Sequence, residues 1–183
     1  MNFEEKPIES KTVYAGKIID VEVTTVELPN GKTATRDIVR HVPAVAVLAI
    51  TADNQMILMK QWRAPIDALT LEIPAGKLDE RDQGDMLGAI NRELNEETRY
   101  SAGKVSEISS FYTSIGFSDE YMTLYLAREL SPVTTELPQD EDENLELITV
   151  SLKQALEMVK SKEIVDQKTI MAIYYWATLQ QGE

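Results

Sequence analysis

The hydrophobic and polar pattern from Thr12 to His41 predicts strands. The segment KIIDVEVTTVEL is rich in β-branched residues, and a Pro-Asn-Gly turn at residues 29–31 separates it from the strand-like KTATRDIVRH. A buried strand is predicted for AVAVLAIT, and the turn ADNQ joins it to a further strand, MILMKQW. Next, ALTLEI leads into a predicted turn at residues 74–76. The N-terminal half should therefore be rich in strands.

Helical periodicity begins later, at residues 85–98. One apolar stripe there contains Leu87, Ile90 and Leu94. Strands are predicted again for VSEISSFYTS, YMTLYLAREL and LELITVS. Two amphipathic helices follow, and the first is predicted to begin with Ser151 as its N-cap. This order predicts an α+β fold whose first forty residues form a small separate sheet.

Composition and charge narrow the class of protein. The chain has 183 residues and a formal net charge of −13, which argues against a nucleic-acid binder or a membrane-surface protein. It has no cysteine, so disulfides, thiol catalysis and zinc–thiolate sites are excluded. The longest apolar run, residues 44–50, is too short to span a membrane, and the N-terminus does not resemble a signal peptide. We therefore expect a cytoplasmic protein.

Three carboxylates crowd the end of the predicted helix at residues 85–98. Glu93, Glu96 and Glu97 are neighbours on a helix surface, where like charges repel. A divalent metal site would offset this repulsion, because hard cations such as Mg²⁺ prefer oxygen ligands. The alternative is a solvated acidic helix end, and spacing by itself does not decide between the two.

The segment EIPAGKLDERDQGDMLGAINRELNEETRY resembles the Nudix box, GX5EX7REUXEEXGU, where U is aliphatic or aromatic. The first Gly matches Gly76, the REU and EE groups match residues 92–94 and 96–97, and the last U matches Tyr100. EIPAGKLD looks like the form found in ADP-ribose pyrophosphatases, and lesser similarities include KQWR and SIGFSDE. The resemblance implies a Nudix fold, a mixed sheet sandwiched between helices, over residues 42–183. Residues 1–41 would be an N-terminal antiparallel sheet at a dimer interface.

The signature is broken at three points. The stretch from Gly76 to Arg92 is two residues too long, and the isolated Glu of the box falls at Asp82 or near Gly84, depending on the alignment. Its last Gly is replaced by Arg99, which must end the helix without an easy left-handed residue. None of these departures touches the three glutamates.

By resemblance, Glu93 and Glu97 are the main metal ligands, Glu96 is a third or bridging ligand, and the carbonyl of Ala75 completes the set. The implied cofactor is Mg²⁺, with Mn²⁺ as a possible substitute. Arg92 would pair with the glutamates and orient them, unless it is an exposed helix arginine.

The resemblance also implies a catalytic acid in the loop QDEDEN. Alignment through LELITVS assigns the base to Glu141, with Glu143 close behind it, and Glu97 acts with them through the metal. A solvated surface loop is the alternative. The one histidine, His41, is interpreted as structural rather than catalytic.

Four residues are expected to bind substrate by resemblance. Arg63 would contact the diphosphate and Arg36 the nucleotide, while Gly116 and Glu120 would line the terminal sugar. Alternatively, both arginines are surface residues and the loop at residues 113–120 is a plain turn. Trp62 points away from Arg63 on a strand, so we expect it in the core.

The predicted activity is Mg²⁺-dependent hydrolysis of ADP-ribose to AMP and ribose 5-phosphate by a homodimer. One alternative is a hydrolase of another nucleoside diphosphate sugar, such as GDP-mannose or ADP-glucose; the position after Ser114 favours proline in ADP-ribose pyrophosphatases but holds Ile115 here. A Nudix-fold ligand sensor without catalysis is a less favoured alternative, because all three glutamates are retained and no basic DNA-binding extension is seen.

Overall fold

The computed structural model describes residues 2–78, 82, 85–139 and 144–181, and ten strands and three helices lie within them. The strands are β1 (Lys6–Ala15), β2 (Ile19–Glu27), β3 (Thr33–His41), β4 (Ala44–Ala49), β5 (Met56–Arg63), β6 (Ala68–Glu72), β7 (Ala75–Lys77), β8 (Tyr100–Tyr112), β9 (Tyr121–Pro132) and β10 (Glu146–Val150). The helices are α1 (Met86–Thr98), α2 (Leu152–Ser161) and α3 (Gln167–Gln181). A single 3-10 turn, Ala64–Ile66, follows β5. In the ranges just given, no helix is long and apolar enough to cross a membrane.

The chain divides into two compact units, and the first contains Met1–Ala44 together with Ser110–Met122. Its sheet is antiparallel, with β2 between β1 and β3. The predicted turn at residues 29–31 is confirmed: Gly31 has a φ of +79°, a value that glycine adopts without strain, and its N–H donates to the carbonyl of Leu28. The predicted N-terminal antiparallel sheet is therefore present.

Within this first unit, residues 110–122 attach to β3. The N–H of Val39 donates to the carbonyl of Phe117 at 2.7 Å, and the N–H of Asp119 donates back to Val39 at 3.2 Å. Asp119 also accepts from the Arg40 side chain at 3.0 Å. Backbone and charge together fix the loop at residues 113–120 against β3.

The second unit contains Val45–Ser109 and Thr123–Glu183 and has two sheets, in the orders β10-β5-β6 and β7-β4-β9-β8. All six residues of β4 are buried, as its continuous apolar run predicts. Ile90 and Leu94 of α1 pack into the same apolar cluster as Val45 and Val47. This packing, rather than helix propensity, holds α1 against the sheet.

Two predicted features of the core are wrong. Leu87 is 55% exposed although Leu94 lies on the same side of α1 two turns later and is buried, and the first turn of the helix packs on the core through Met86 instead. Trp62 is 56% exposed and pairs across the sheet with exposed Leu69. It does point away from Arg63, but the buried part of β5 ends before Trp62.

The turn predicted at residues 74–76 is also wrong, since Ala75–Lys77 forms the short strand β7 beside β4. The carbonyl of Pro74 accepts from the N–H of Val47 at 2.8 Å, so the neighbouring strand extends this segment. The prediction for Ser151 is confirmed: it caps α2, in a reciprocal capping box with Gln154.

Arg99 ends α1 in a left-handed conformation, with a φ of 64°. An arginine has no steric ease there, but its guanidinium donates to the carbonyls of Asn95 and Leu137, at 3.1 and 2.5 Å. These side-chain contacts offset the backbone strain that a glycine at this position would avoid.

Candidate active site

One guanidinium joins three carboxylates beside α1. Nη1 of Arg92 donates to Glu93 at 2.7 Å and to Glu96 at 3.0 Å. Nη2 of the same side chain donates to both oxygens of Asp82 at 3.1 Å. The pairing predicted for Arg92 is thus observed, and Asp82, whose role the broken signature left open, is a partner of Arg92.

The acidic site is buried and carries excess negative charge. Glu93 and Glu97 are only 7% and 6% exposed, although both lie on a helix surface. Burial lowers the pKa of Arg92, but the negative charges of Glu93, Asp82 and Glu96 outweigh burial and raise it. Arg92 therefore stays protonated. Counted formally, the carboxylates of Asp82, Glu93, Glu96 and Glu97 carry three more negative charges than Arg92 carries positive ones.

Strand β7 supplies the wall against which these carboxylates pack. A Cβ added to Gly76 would overlap the carboxyl carbon and both oxygens of Glu93, so the carboxylate can keep this position only while residue 76 has no Cβ. The N–H of Ala75 donates to Oε2 of Glu97 at 3.1 Å. Two successive residues of β7, Ala75 and Gly76, therefore each contact a glutamate of α1.

The donor set fits a hard divalent cation. It consists of carboxylate oxygens, with a formal charge that a cation of +2 would largely offset. Within the described ranges, no three acidic or histidine side chains converge as a formed metal site. Instead, Glu93 and Glu96 bond Arg92, and Glu97 bonds the N–H of Ala75, so binding of a cation requires some of these contacts to exchange.

A second charged cluster lies in the same unit and was missed by the sequence analysis. Glu72, at the end of β6, accepts from Nε and Nη2 of Arg63 at 2.7 and 2.8 Å. It also accepts from the hydroxyl of Thr70 at 2.6 Å and from Nζ of Lys168 at 2.5 Å. The available signal was a lone glutamate at the end of an apolar strand, which by itself does not predict a partner 96 residues away.

This cluster holds Glu72 as a carboxylate. Burial by itself raises the pKa of Glu72, but the hydrogen bonds from Arg63, Lys168 and Thr70, together with the charge of Lys168, outweigh it and bring the pKa to about 2. Hydrogen bonding to Glu72 is also the main cause that raises the pKa of Arg63, to which the charges of Asp166 and Glu97 contribute.

Three of the predicted substrate residues lie in the first unit. Arg36 pairs with Glu5 at 2.5 Å, Glu120 accepts from the Thr113 hydroxyl at 2.6 Å, and Gly116 has open space where a side chain would stand. Nδ1 of His41 lies 2.6 Å from the carbonyl of Val42 and 3.7 Å from Glu120, contacts that suit the structural interpretation. The substrate roles stay predictions.

The proposed base lies outside the described residues, since Glu141 and Glu143 both fall between residues 139 and 144. Their assignment therefore rests on the sequence resemblance. On α1 and β7, the described residues bring together four of the predicted groups: the backbone of Ala75 and the side chains of Glu93, Glu96 and Glu97.

The fold is α+β with mixed sheets, and its acidic site lies where α1 packs on β7. Comparison with known proteins identifies the family to which this arrangement belongs. The NUDIX domain matches residues 40–172, and the chain belongs to the Nudix family. The nucleoside diphosphate sugar hydrolase N-terminal domain matches residues 5–39. The expected family and fold class are confirmed, and hydrolases of this family generally use a divalent metal.

Particular relatives extend the comparison. The chain is 46% identical to an ADP-ribose pyrophosphatase of Bacillus subtilis (strain 168), a match that covers 95% of this chain and 93% of the relative. It is 44% identical to a methanol dehydrogenase activator of Bacillus methanolicus, over 94% and 92% of the two chains. A crystal structure of an ADP compounds hydrolase superposes with a TM-score of 0.87 over 100% of this chain and 97% of that one; at 20% identity it shows the fold.

The contact between Gly76 and Glu93 makes a testable prediction. Gly76→Ala should weaken the binding of a divalent cation at least about tenfold, because the new methyl group displaces the Glu93 carboxylate. Overpacking should also lower the free energy of unfolding by about 1–3 kcal/mol. Cation titration and denaturant unfolding measure the two effects. Gly116→Ala is the matched control for both, since its added Cβ meets no atom within 4 Å; equal cation affinity in the two variants would contradict the prediction.

The low pKa of Glu72 predicts a pH-dependent stability. Folding lowers this pKa from 4.5 to about 2, so the contribution of Glu72, about 3 kcal/mol, is present above pH 4.5 and is lost as the pH falls toward 2. The difference in unfolding free energy between the wild type and Glu72→Gln should therefore shrink between pH 5 and pH 2. Glu146→Gln, whose side chain is 69% exposed, is the control and should show little change. A constant difference for Glu72→Gln would refute the assignment.

Proposed function

We propose that this chain is a Mg²⁺-dependent pyrophosphohydrolase that converts ADP-ribose and water to AMP and ribose 5-phosphate. The 46% identity to an ADP-ribose pyrophosphatase over almost the whole of both chains carries the proposal. The buried carboxylates beside α1 support it, because a protein with a net charge of −13 needs a cation to approach a diphosphate. Mn²⁺ would serve as a substitute metal.

The chemistry is the hydrolysis of a phosphoanhydride. A water oxygen forms a bond to one phosphorus, the bond from that phosphorus to the bridging oxygen breaks, and the leaving phosphate keeps the electron pair. Bound Mg²⁺ would neutralise phosphate charge and lower the pKa of a water molecule. Glu93, Glu96, Glu97 and the carbonyl of Ala75 would hold the cation, and Arg92 keeps Glu93 and Glu96 oriented through its two hydrogen bonds.

The remaining roles follow the resemblance. Arg63 binds the diphosphate, and Glu141, with Glu143 as the nearby alternative, accepts the proton of the attacking water. Arg36 contacts the nucleotide, while Gly116 and Glu120 contact the terminal sugar. The open space around Gly116 supports its assignment, because a substrate can approach the backbone there.

A homodimer in the cytoplasm completes this proposal. Strand β1 lies at the edge of the N-terminal sheet, and every one of its ten residues is exposed, including Ile8, Val13 and Tyr14 at 58%, 54% and 57%. The strand also carries polar and charged residues, but its unpaired edge and these three exposed apolar side chains form a surface that a partner could cover. A second copy of the chain is the proposed cover.

A second candidate function comes from the 44%-identical relative that is named a methanol dehydrogenase activator. In this alternative the chain increases the activity of a methanol dehydrogenase. To test it, the wild-type protein is added to a methanol dehydrogenase and the activity of that enzyme is measured. This assay is independent of the assay of diphosphate hydrolysis. The two functions do not exclude each other.

A panel assay tests the predicted substrate. Purified protein with Mg²⁺ should release AMP from ADP-ribose faster than it releases a monophosphate from ADP-glucose, GDP-mannose or a uridine diphosphate sugar. The measurement is kcat/KM for each compound. Faster turnover of a guanosine or uridine sugar would replace ADP-ribose as the substrate. No turnover of any compound with metal bound would favour the ligand sensor.

The metal role of Glu97 gives a second expected result. Glu97→Gln should lower kcat by several orders of magnitude, because a neutral amide is a poor ligand for a hard cation, while its similar size still accepts from the N–H of Ala75. Glu157→Gln is the control, since that side chain is 67% exposed on α2. Wild-type turnover in a folded Glu97→Gln protein would remove Glu97 from the metal site.

A further inference from the structure

We propose that Glu72 is a positioning residue: it holds the guanidinium of Arg63 toward the diphosphate and thereby sets the affinity for substrate. The inference rests on the proposed function, because the group that Arg63 would bind is the same diphosphate. Glu72 comes four residues before Gly76, the first residue of the signature, and has no role among the predicted site residues. Its partners are all described residues of the second unit.

The strand register shows that the contact between Arg63 and Glu72 is a directed one. In the β5–β6 pair, Arg63 stands opposite Ala68, while Glu72 stands opposite Met59, four residue pairs away on the same face. The arginine side chain therefore lies back along the sheet, past Thr70, to reach the carboxylate. An arginine free of this contact would extend into solvent.

The Glu72 carboxylate is held by hydrogen bonds to both of its oxygens. Its two oxygens accept four donors, from Arg63 twice, Thr70 and Lys168, and its side chain is only 4% exposed. Rotation of this carboxylate would break several charge-assisted hydrogen bonds at once. The anchor is therefore far more rigid than the surface arginine it holds.

The anchor continues into α3. Lys168 bridges Glu72 and Asp166, the latter at 3.0 Å, and Asp166 accepts from both the N–H and the hydroxyl of Thr169. The Thr169 hydroxyl oxygen accepts from the N–H of Ile73, the residue after Glu72, at 2.9 Å. Two cations and two carboxylates balance in this cluster, so the paired charges can be buried together.

Arg63 keeps donors available for a ligand. Its side chain is 45% exposed, and Glu72 uses only Nε and Nη2. Within the part of the chain that the structure describes, Nη1 of Arg63 makes no hydrogen bond. A guanidinium that is held by one edge and open at the other is suited to a phosphate oxygen.

Arg63 lies within electrostatic reach of the acidic site, because the charge of Glu97, one of the proposed metal ligands, contributes to raising the pKa of Arg63. Glu72 also precedes Ala75 by only three residues, through the buried Ile73. A diphosphate beside the metal ligands would therefore be within the region that Arg63 serves. A pre-positioned arginine loses less conformational entropy when it binds, which lowers KM.

A purely structural role makes a different prediction. If Glu72 only fastens β6 to α3, its loss lowers stability but leaves KM unchanged in the molecules that remain folded. If Glu72 acts through Arg63, its loss raises KM, and it has no further effect once Arg63 has been removed.

The experiment is a double-mutant cycle with Glu72→Gln, Arg63→Ala and the double variant. The kinetics are measured with the panel compound that the wild type turns over best, and the folded fraction is measured by near-UV circular dichroism. We expect Glu72→Gln to raise KM about tenfold with kcat within about twofold. The double variant should have the KM of Arg63→Ala. Glu146→Gln is the control. It removes an exposed carboxylate that pairs with Lys60, a residue of the same strand as Arg63, and it should leave KM unchanged.

Two results would overturn the proposal: an unchanged KM in folded Glu72→Gln, or multiplied effects in the double variant. If Glu72→Gln does not fold, Thr70→Val provides the test, because it removes only one hydrogen bond to Glu72. It should raise KM about two- to threefold in the wild-type background and not in Arg63→Ala; no rise overturns the proposal.

Failure of the proposed function is a separate result. If the wild type turns over no panel compound, the same cycle is measured by calorimetric binding of the α,β-methylene analogue of ADP-ribose. A weaker affinity in Glu72→Gln that disappears in the Arg63→Ala background would still support the positioning role. Equal affinity in the wild type and Glu72→Gln, or no binding of the analogue at all, would overturn it.

Discussion

The geometry of the acidic site depends most on the close contact between the Glu93 carboxylate and Gly76, which has no Cβ. Beside this contact, the N–H of Ala75 donates to Glu97. The apolar side of the helix makes the approach possible, since Ile90 and Leu94 pack with Val45 and Val47 of β4. Buried apolar surface thus holds together carboxylates that would repel one another on a free helix.

The two charged clusters differ in their balance, and the difference suits different tasks. Around Glu72, two cations meet two carboxylates, so the charges satisfy each other in a buried setting. Around Arg92, one guanidinium faces an excess of carboxylates. The first arrangement balances its charges without a ligand, whereas the second keeps an excess of negative charge. A local violation of charge pairing is expected where a site binds an ion.

Residues near the broken signature show how tertiary contacts replace a local rule. Arg99 occupies the position of the family's glycine and still adopts the left-handed conformation, because its guanidinium bonds the carbonyls of Asn95 and Leu137. The conformation was predictable from the signature, but the contact with Leu137 was not, since 38 residues separate the pair. Likewise, Asp82 became interpretable only through its bonds to Arg92.

The sequence by itself determined most of the strands, α1 with its three glutamates, and the Nudix family, because periodicity and a short motif are local patterns. It did not determine where β5 leaves the core, so Trp62 was misplaced, nor that residues 74–76 extend beside β4. Only the tertiary structure decided that Glu72 contacts Lys168 and that the Glu93 carboxylate lies against Gly76. Such contacts join residues far apart in the chain, and their partners depend on how sheets and helices pack rather than on any neighbouring residue.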